Sequence, residues 1–174
     1  MSQATHAASQ GSIASNSGGT ADVTLVLGLN ARITGFDDFL FGTWDGSSTL
    51  SADDNICVGQ SGTGIFGTGS YRILAQGDGD SGDPSAFTLA NGSGHQVYYD
   101  AYFNDQGNPT GRTQLTPGLQ LSGQTAFGIG LIFNLILGGC PIPNANLSIE
   151  VPPANLSAAY GAYSGTLRVT LIPE

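Results

Sequence analysis

The sequence predicts an all-β fold, an antiparallel sandwich or barrel. Three observations carry that expectation. Short segments alternate apolar and polar residues, about seven to nine of them. Clusters of Gly, Asn, Asp and Ser separate those segments. Only residues 153–159 have the makings of a helical turn, and that stretch is too short to matter. At 174 residues the chain fits one domain.

Residues 21–33 place Val23, Leu25, Leu27, Leu29, Ala31 and Ile33 on one parity. Asp22, Thr24, Gly28, Asn30 and Arg32 fall on the other, with Val26 the exception. Period two over that length marks a strand with one buried face. Residues 39–44 read as a second, shorter strand, and 46–55 as a turn-rich connection. A strand carrying Cys57 runs over 55–58, and another over 70–75. Residues 77–84 form an Asp/Gly loop. Strands at 87–89 and 96–103 follow, the second closed by the turn signal Asn104-Asp105-Gln106-Gly107. In the apolar run 126–137, Ile129, Leu131, Phe133, Leu135 and Leu137 share a parity, while Ile132 and Ile136 make the other apolar too. That is a strand buried on both faces or, alternatively, an exposed apolar edge that contacts a neighbour. Residues 146–151 turn Leu147, Ile149 and Val151 to one face. Residues 165–172 close the pattern, with Leu167, Val169 and Leu171 inward against Thr166, Arg168 and Thr170.

Residues 1–19 read as a small-residue polar arm, 20–33 as a separate alternating segment, and 34–174 as the β domain. No run of 18 apolar residues exists, so no transmembrane helix or membrane insertion is expected. The N-terminus shows no charged start followed by an apolar core, hence no visible signal peptide.

Thirteen acids against four arginines, with no lysine, give a formal charge of −9. That argues against nucleic acid or an anionic membrane surface, since both need clustered positive charge. Charged residues make up 10%, against roughly 25% in an average soluble domain. This Gly-rich, lysine-free composition fits a secreted or surface β protein. Nucleophilic catalysis finds no support, because there is no Gly-x-Ser-x-Gly elbow. His6 lies in the polar arm and His95 in a Gly/Ser turn, neither a place that holds a general base. We expect no enzyme activity, no cofactor and no metal. Asp78, Asp80 and Asp83 offer the oxygen ligands calcium prefers, but without the Glu of an EF-hand loop a solvated turn is the plainer expectation. Cys57 and Cys140 form one bridge closing a long loop in an oxidising compartment, or remain two separate buried thiols. The extracellular character of the composition favours the bridge.

Three pieces of sequence resemble a known family. The first is Gly19-Thr20-Ala21-Asp22-Val23-Thr24-Leu25, leading through Arg32-Ile33-Thr34-Gly35-Phe36 to Phe41-Gly42-Thr43-Trp44. The second is Cys57-Val58, then Gly69-Ser70-Tyr71-Arg72-Ile73, Phe87-Thr88-Leu89-Ala90-Asn91-Gly92, and Tyr98 to Asp105. The third is the close, Gly161-Ala162-Tyr163-Ser164-Gly165-Thr166-Leu167-Arg168-Val169-Thr170-Leu171. Over residues 19–174 this order resembles the spore coat protein U domain family, which includes the subunits of archaic chaperone–usher pili. Members often carry a cysteine just after the first strand. Here Asn30, Ala31 and Arg32 stand there, and Cys140 comes late instead.

The resemblance implies an immunoglobulin-like sandwich that lacks its final strand and is completed by donor-strand complementation. The donor residues are then Val23, Leu25, Leu27 and Leu29, and Leu167, Val169 and Leu171 line the acceptor groove. It further implies a head-to-tail homo-oligomeric filament on the cell surface, reached through the periplasm with a chaperone and an outer-membrane usher, and supporting adhesion or biofilm. Two other functions fit the sequence: a monomeric or self-complemented surface adhesin, and a calcium-stabilised secreted β domain.

Overall fold

The computed structural model describes residues 31–60, 68–77, 85–127, 140, 142–157 and 159–174. Strand β1 (Ala31–Thr34) pairs antiparallel with the second half of β2 (Leu50–Gln60). Strand β3 (Thr68–Gly77) alternates exposed or half-buried residues with buried ones, the pattern of a strand with one face on the core. The short β4 (Thr88–Ala90) and β5 (Gln96–Tyr98) form a hairpin. Then come β6 (Asp100–Asn104), β7 (Thr113–Gln114), β8 (Gln120–Phe127) and β9 (Ala145–Val151). A single helical turn, α1 (Pro153–Leu156), precedes β10 (Leu167–Pro173).

The strands make a five-stranded sheet, β1-β2-β9-β6-β7, a three-stranded sheet, β10-β3-β8, and the β4-β5 hairpin. All ladders are antiparallel. The core lies between the two larger sheets: Tyr71 and Ile73 of β3 meet Ile56, Val58, Phe103 and Leu147 of the opposite sheet. The Tyr71 and Phe103 rings contact edge to face, with centroids 6.3 Å apart. The architecture is the all-β, immunoglobulin-like sandwich that the sequence predicts.

Several expectations need correction. Residues 39–44 are not a strand. Gly35, at φ 89°, turns the chain out of the β1 ladder, and Gly42, at 70°, turns it again. Strand β2 begins at Leu50, inside the stretch read as a turn. The polar run Asp53, Asp54, Asn55 concealed it. Asn146 Nδ2 donates to Asp53 Oδ2 (3.0 Å) and Asn55 Oδ1 (2.9 Å), and Asp37 N donates to Asp54 Oδ2 (2.8 Å). The stretch 96–103 is two strands. Tyr99 still bonds across the hairpin, its N–H donating to Phe87 O at 3.0 Å, and from Asp100 the chain pairs with β9 instead. Strand β8 runs through a stretch, 120–125, for which the sequence predicts no element. Of the apolar run, 128–139 lie outside the described residues, as do Asp78, Asp80 and Asp83.

Burial on β9 exceeds the alternation read from sequence, for Asn146 and Ser148 are buried as fully as Leu147. Ser148 Oγ donates to Asn146 Oδ1 (2.7 Å), so these polar groups are satisfied among themselves and with β2. Tyr71 is different. Its hydroxyl is buried and has no hydrogen-bond partner among the described residues, and burial raises the phenol's pKa above its ordinary value. An unpaired buried hydroxyl costs about 1–3 kcal/mol. Tyr71→Phe is therefore expected to leave stability unchanged or raise it by up to about 1 kcal/mol. Urea unfolding checks this, and a loss above about 1 kcal/mol at constant slope would show that the hydroxyl is bonded.

Candidate functional site

The site is an apolar groove of about 1010 Å³. Its floor is the inward face of β9, Leu147, Ile149 and Val151, with Leu50 from the start of β2. One wall is the non-strand segment 36–44, and the other is residues 161–166 with Leu167, where β10 begins. Leu89, Val97 and Tyr99 line it as well.

Two strands each place one end on it, β2 through Leu50 and β10 through Leu167. Strand β1 covers β2 only over Cys57–Gln60, so among the described residues β2 has no strand partner on that side from Leu50 to Ile56. Strand β10 pairs with β3 on one side and, among the described residues, with no strand on the other. An unpaired edge presents a row of backbone donors and acceptors, a template for one more strand. β1 and β10 come into contact with each other.

The sequence-named residues fall as follows. Leu167 lines the groove. Val169 and Leu171 continue the half-buried face of β10 and pack on the core. Val23, Leu25, Leu27 and Leu29 lie outside the described residues. Ala31, Arg32 and Ile33, the end of the segment read as separate, pair with Gln60, Gly59 and Val58 of the same chain. Cys57 and Cys140 are joined in a disulfide. Beside it, the Asn144 carboxamide donates to Val58 O and accepts from Val58 N, both at 2.8 Å, standing in for the next residue of β9.

The wall 36–44 was the part sequence reasoning missed. Phe39, Phe41 and Trp44 pack on the core, while Leu40 is 86% exposed. Four aromatics in nine residues, Phe36, Phe39, Phe41 and Trp44, directly after Gly35 are the available signal. The segment is anchored at both ends. Asp37 N reaches Asp54, and Trp44 Nε1 donates to Ser48 O at 2.7 Å. Asp45 holds the following turn, accepting from the Ser48 hydroxyl (2.6 Å) and from the backbone N–H groups of Ser47 and Ser48 (2.8 Å each). Those bonds, the Ser48 hydroxyl first, hold the Asp45 carboxyl down at about 2 from an ordinary 3.8. A depressed folded-state value stabilises fully above 3.8 and is lost as pH falls through 2. The melting difference between the wild type and Asp45→Asn is therefore expected to be constant near neutrality and to close between pH 4 and 2. A gap independent of pH would contradict it.

Among the described residues, no three His, Cys, Asp or Glu side chains gather as a metal would need, and no helix is long and apolar enough to cross a membrane.

No protein-family profile matches the chain. No curated protein matches it either. Among solved structures, it is similar to a chain from a chaperone–tip adhesin complex described as vital for synergistic activation of CFA/I fimbriae biogenesis. The TM-score is 0.54 and the identity 15%. The likeness covers 83% of this chain and 43% of that one, so this chain spans less than half of its neighbour's length. At that identity the shared property is the fold, one that also occurs in a fimbrial protein.

Proposed function

We propose that the chain is a structural, non-catalytic subunit of an extracellular filament, of the archaic chaperone–usher type, polymerised by donor-strand exchange. The observation that carries this reading is the apolar groove at which β2 and β10 both begin, each strand having one side without a strand partner among the described residues, β2 from Leu50 to Ile56. The alternating segment that precedes β1 supplies a matching occupant. From Val23 to Leu29 it has the seven-residue length of β10, with Val23, Leu25, Leu27 and Leu29 on one face. Taken from a second copy, it adds a strand by backbone hydrogen bonding and sets alternate side chains into the groove. Burying four such side chains supplies roughly 6–12 kcal/mol before ordering costs. A head-to-tail contact that does not close propagates into a fibre. The likeness to a chain from a fimbrial chaperone–tip adhesin complex fits a surface role with a chaperone as partner; the reading adds a periplasmic route and an outer-membrane usher for assembly.

Deleting residues 1–30 tests the reading, because it removes the donor and leaves β1 whole. The shortened chain is expected to elute as a monomer and to form no fibres in electron micrographs. Fibres of unchanged yield would overturn donor-strand polymerisation.

A further inference from the structure

The wall formed by residues 36–44 has an unusual combination of properties. Phe39 and Phe41 turn inward and Leu40 outward, the alternation of a strand. Yet among the described residues no backbone–backbone hydrogen bond ties 36–44 to either flanking strand. Its anchors lie at its ends, through the Asp54 carboxylate and the Ser48 carbonyl. Gly35 and Gly42, both at positive φ, sit at its start and near its end. Gly35 is fixed against the disulfide, where a Cβ would stand 3.0 Å from Cys140 Sγ. The segment thus lines the groove by its side chains, its backbone bonded to β2 among the described residues only through the Asp37 N–H at its start, and ends in a capped turn.

We propose that residues 36–44 are a place-holder in cis: Phe39, Phe41 and Trp44 lie against the acceptor groove of a subunit that has not yet received a donor, and the incoming strand displaces them. The inference rests on the donor-strand reading and adds a regulatory element to the same groove. The place-holder shields the apolar floor of β9 from water and from unspecific contacts. It is replaceable because it covers part of the groove floor without satisfying the edges. A true strand offers similar apolar contacts and also bonds the free N–H and C=O groups of β10 and β2. Displacement lowers the apparent affinity for the donor by the fraction of chains whose groove is open. Assembly then discriminates against short apolar segments that lack strand geometry, since those do not repay the eviction of three aromatic side chains.

The test uses the full chain carrying L25D/L27D, which spoils its own alternating face, with and without Phe39→Ala/Phe41→Ala. A synthetic peptide of residues 20–30 is titrated in, and emission is read from Trp44, the chain's single tryptophan. If the segment is a place-holder, removing its aromatics raises peptide affinity about ten-fold or more. In the chain that keeps Phe39 and Phe41, peptide binding shifts Trp44 emission to longer wavelength as the indole leaves the groove. Equal or weaker affinity after the double substitution makes 36–44 a fixed wall; it overturns the place-holder and leaves donor-strand binding standing. No binding by either chain overturns both. Should the double alanine chain lose its strand signal in circular dichroism, F39L/F41L replaces it and is judged by the same direction of change.

Discussion

Replacing both cysteines, Cys57→Ser with Cys140→Ser, is expected to cost about 4.5 kcal/mol of stability in the chain-entropy account. The bridge spans 83 residues of sequence, and the entropy it removes from the unfolded chain grows with the logarithm of that span. For a chain of this size the loss corresponds to about 10–15 °C in melting temperature. The location adds to the effect. Cys57 is 1% exposed in the half of β2 that carries β1, and Cys140 abuts Gly35, where the groove wall begins. Opening the bridge frees the start of that wall as well as the loop. The double substitution is the right comparison, because a single one leaves a thiol able to cross-link two molecules. Thermal unfolding of both proteins measures the difference. A loss below about 1 kcal/mol would mean that the unfolded chain already holds β2 and the Cys140 region together, against the loop-closure account.

The sequence revealed those elements whose burial is one-sided. β3 and β10 keep a strict inward face, Tyr71, Ile73 and Ala75 on one and Leu167, Val169 and Leu171 on the other, and both were found within a few residues of their ends. β9 was found for the same reason, although its outward Asn146 and Ser148 are buried too. What hid the remainder was polar satisfaction that only the folded chain supplies. The first half of β2 looks like a turn until Asn146 and Asp37 N take up its carboxylates and amide. Strand β8 is rich in Gln, Ser and Thr, holds Gly123 at φ 76°, and shifts register against β3 between Tyr71 and Ile73. A bulge of that kind breaks period two in the sequence while the pairing continues.

The groove was half legible for a different reason. Leu147, Ile149 and Val151 announce an inward face, but alternation is silent on whether another strand covers that face. Coverage depends on which edges stay unpaired, a property of topology. Residues 39–41 show the converse: alternation without a partner strand, because Gly35 and Gly42 steer the backbone off the sheet. Leu167 was named from its place on the final strand, and the groove does include it.

Truncation on the groove floor should cost less than truncation in the closed core, and the difference measures how freely the wall moves. Ile73→Ala, in the centre of β3 and fully buried, is expected to lose about 3–5 kcal/mol, the upper range for such cavities. Leu147→Ala removes a side chain of similar size that is 1% exposed, so area alone predicts an equal loss. The cost of a cavity depends on how far its surroundings relax. Leu147 lines the groove with Phe39 and Phe41, whose backbone is bonded to neither flanking strand among the described residues. Those rings are free to settle into the space, so Leu147→Ala is expected to lose only about 2–3 kcal/mol. A double-mutant cycle with Phe39→Ala separates this from a merely weak site. If Phe39 fills the cavity, removing it makes Leu147→Ala more expensive, with a coupling of about 0.5–2 kcal/mol. Independent losses, or a cost at Leu147 equal to that at Ile73, would show that the wall is as rigid as the sheets beside it.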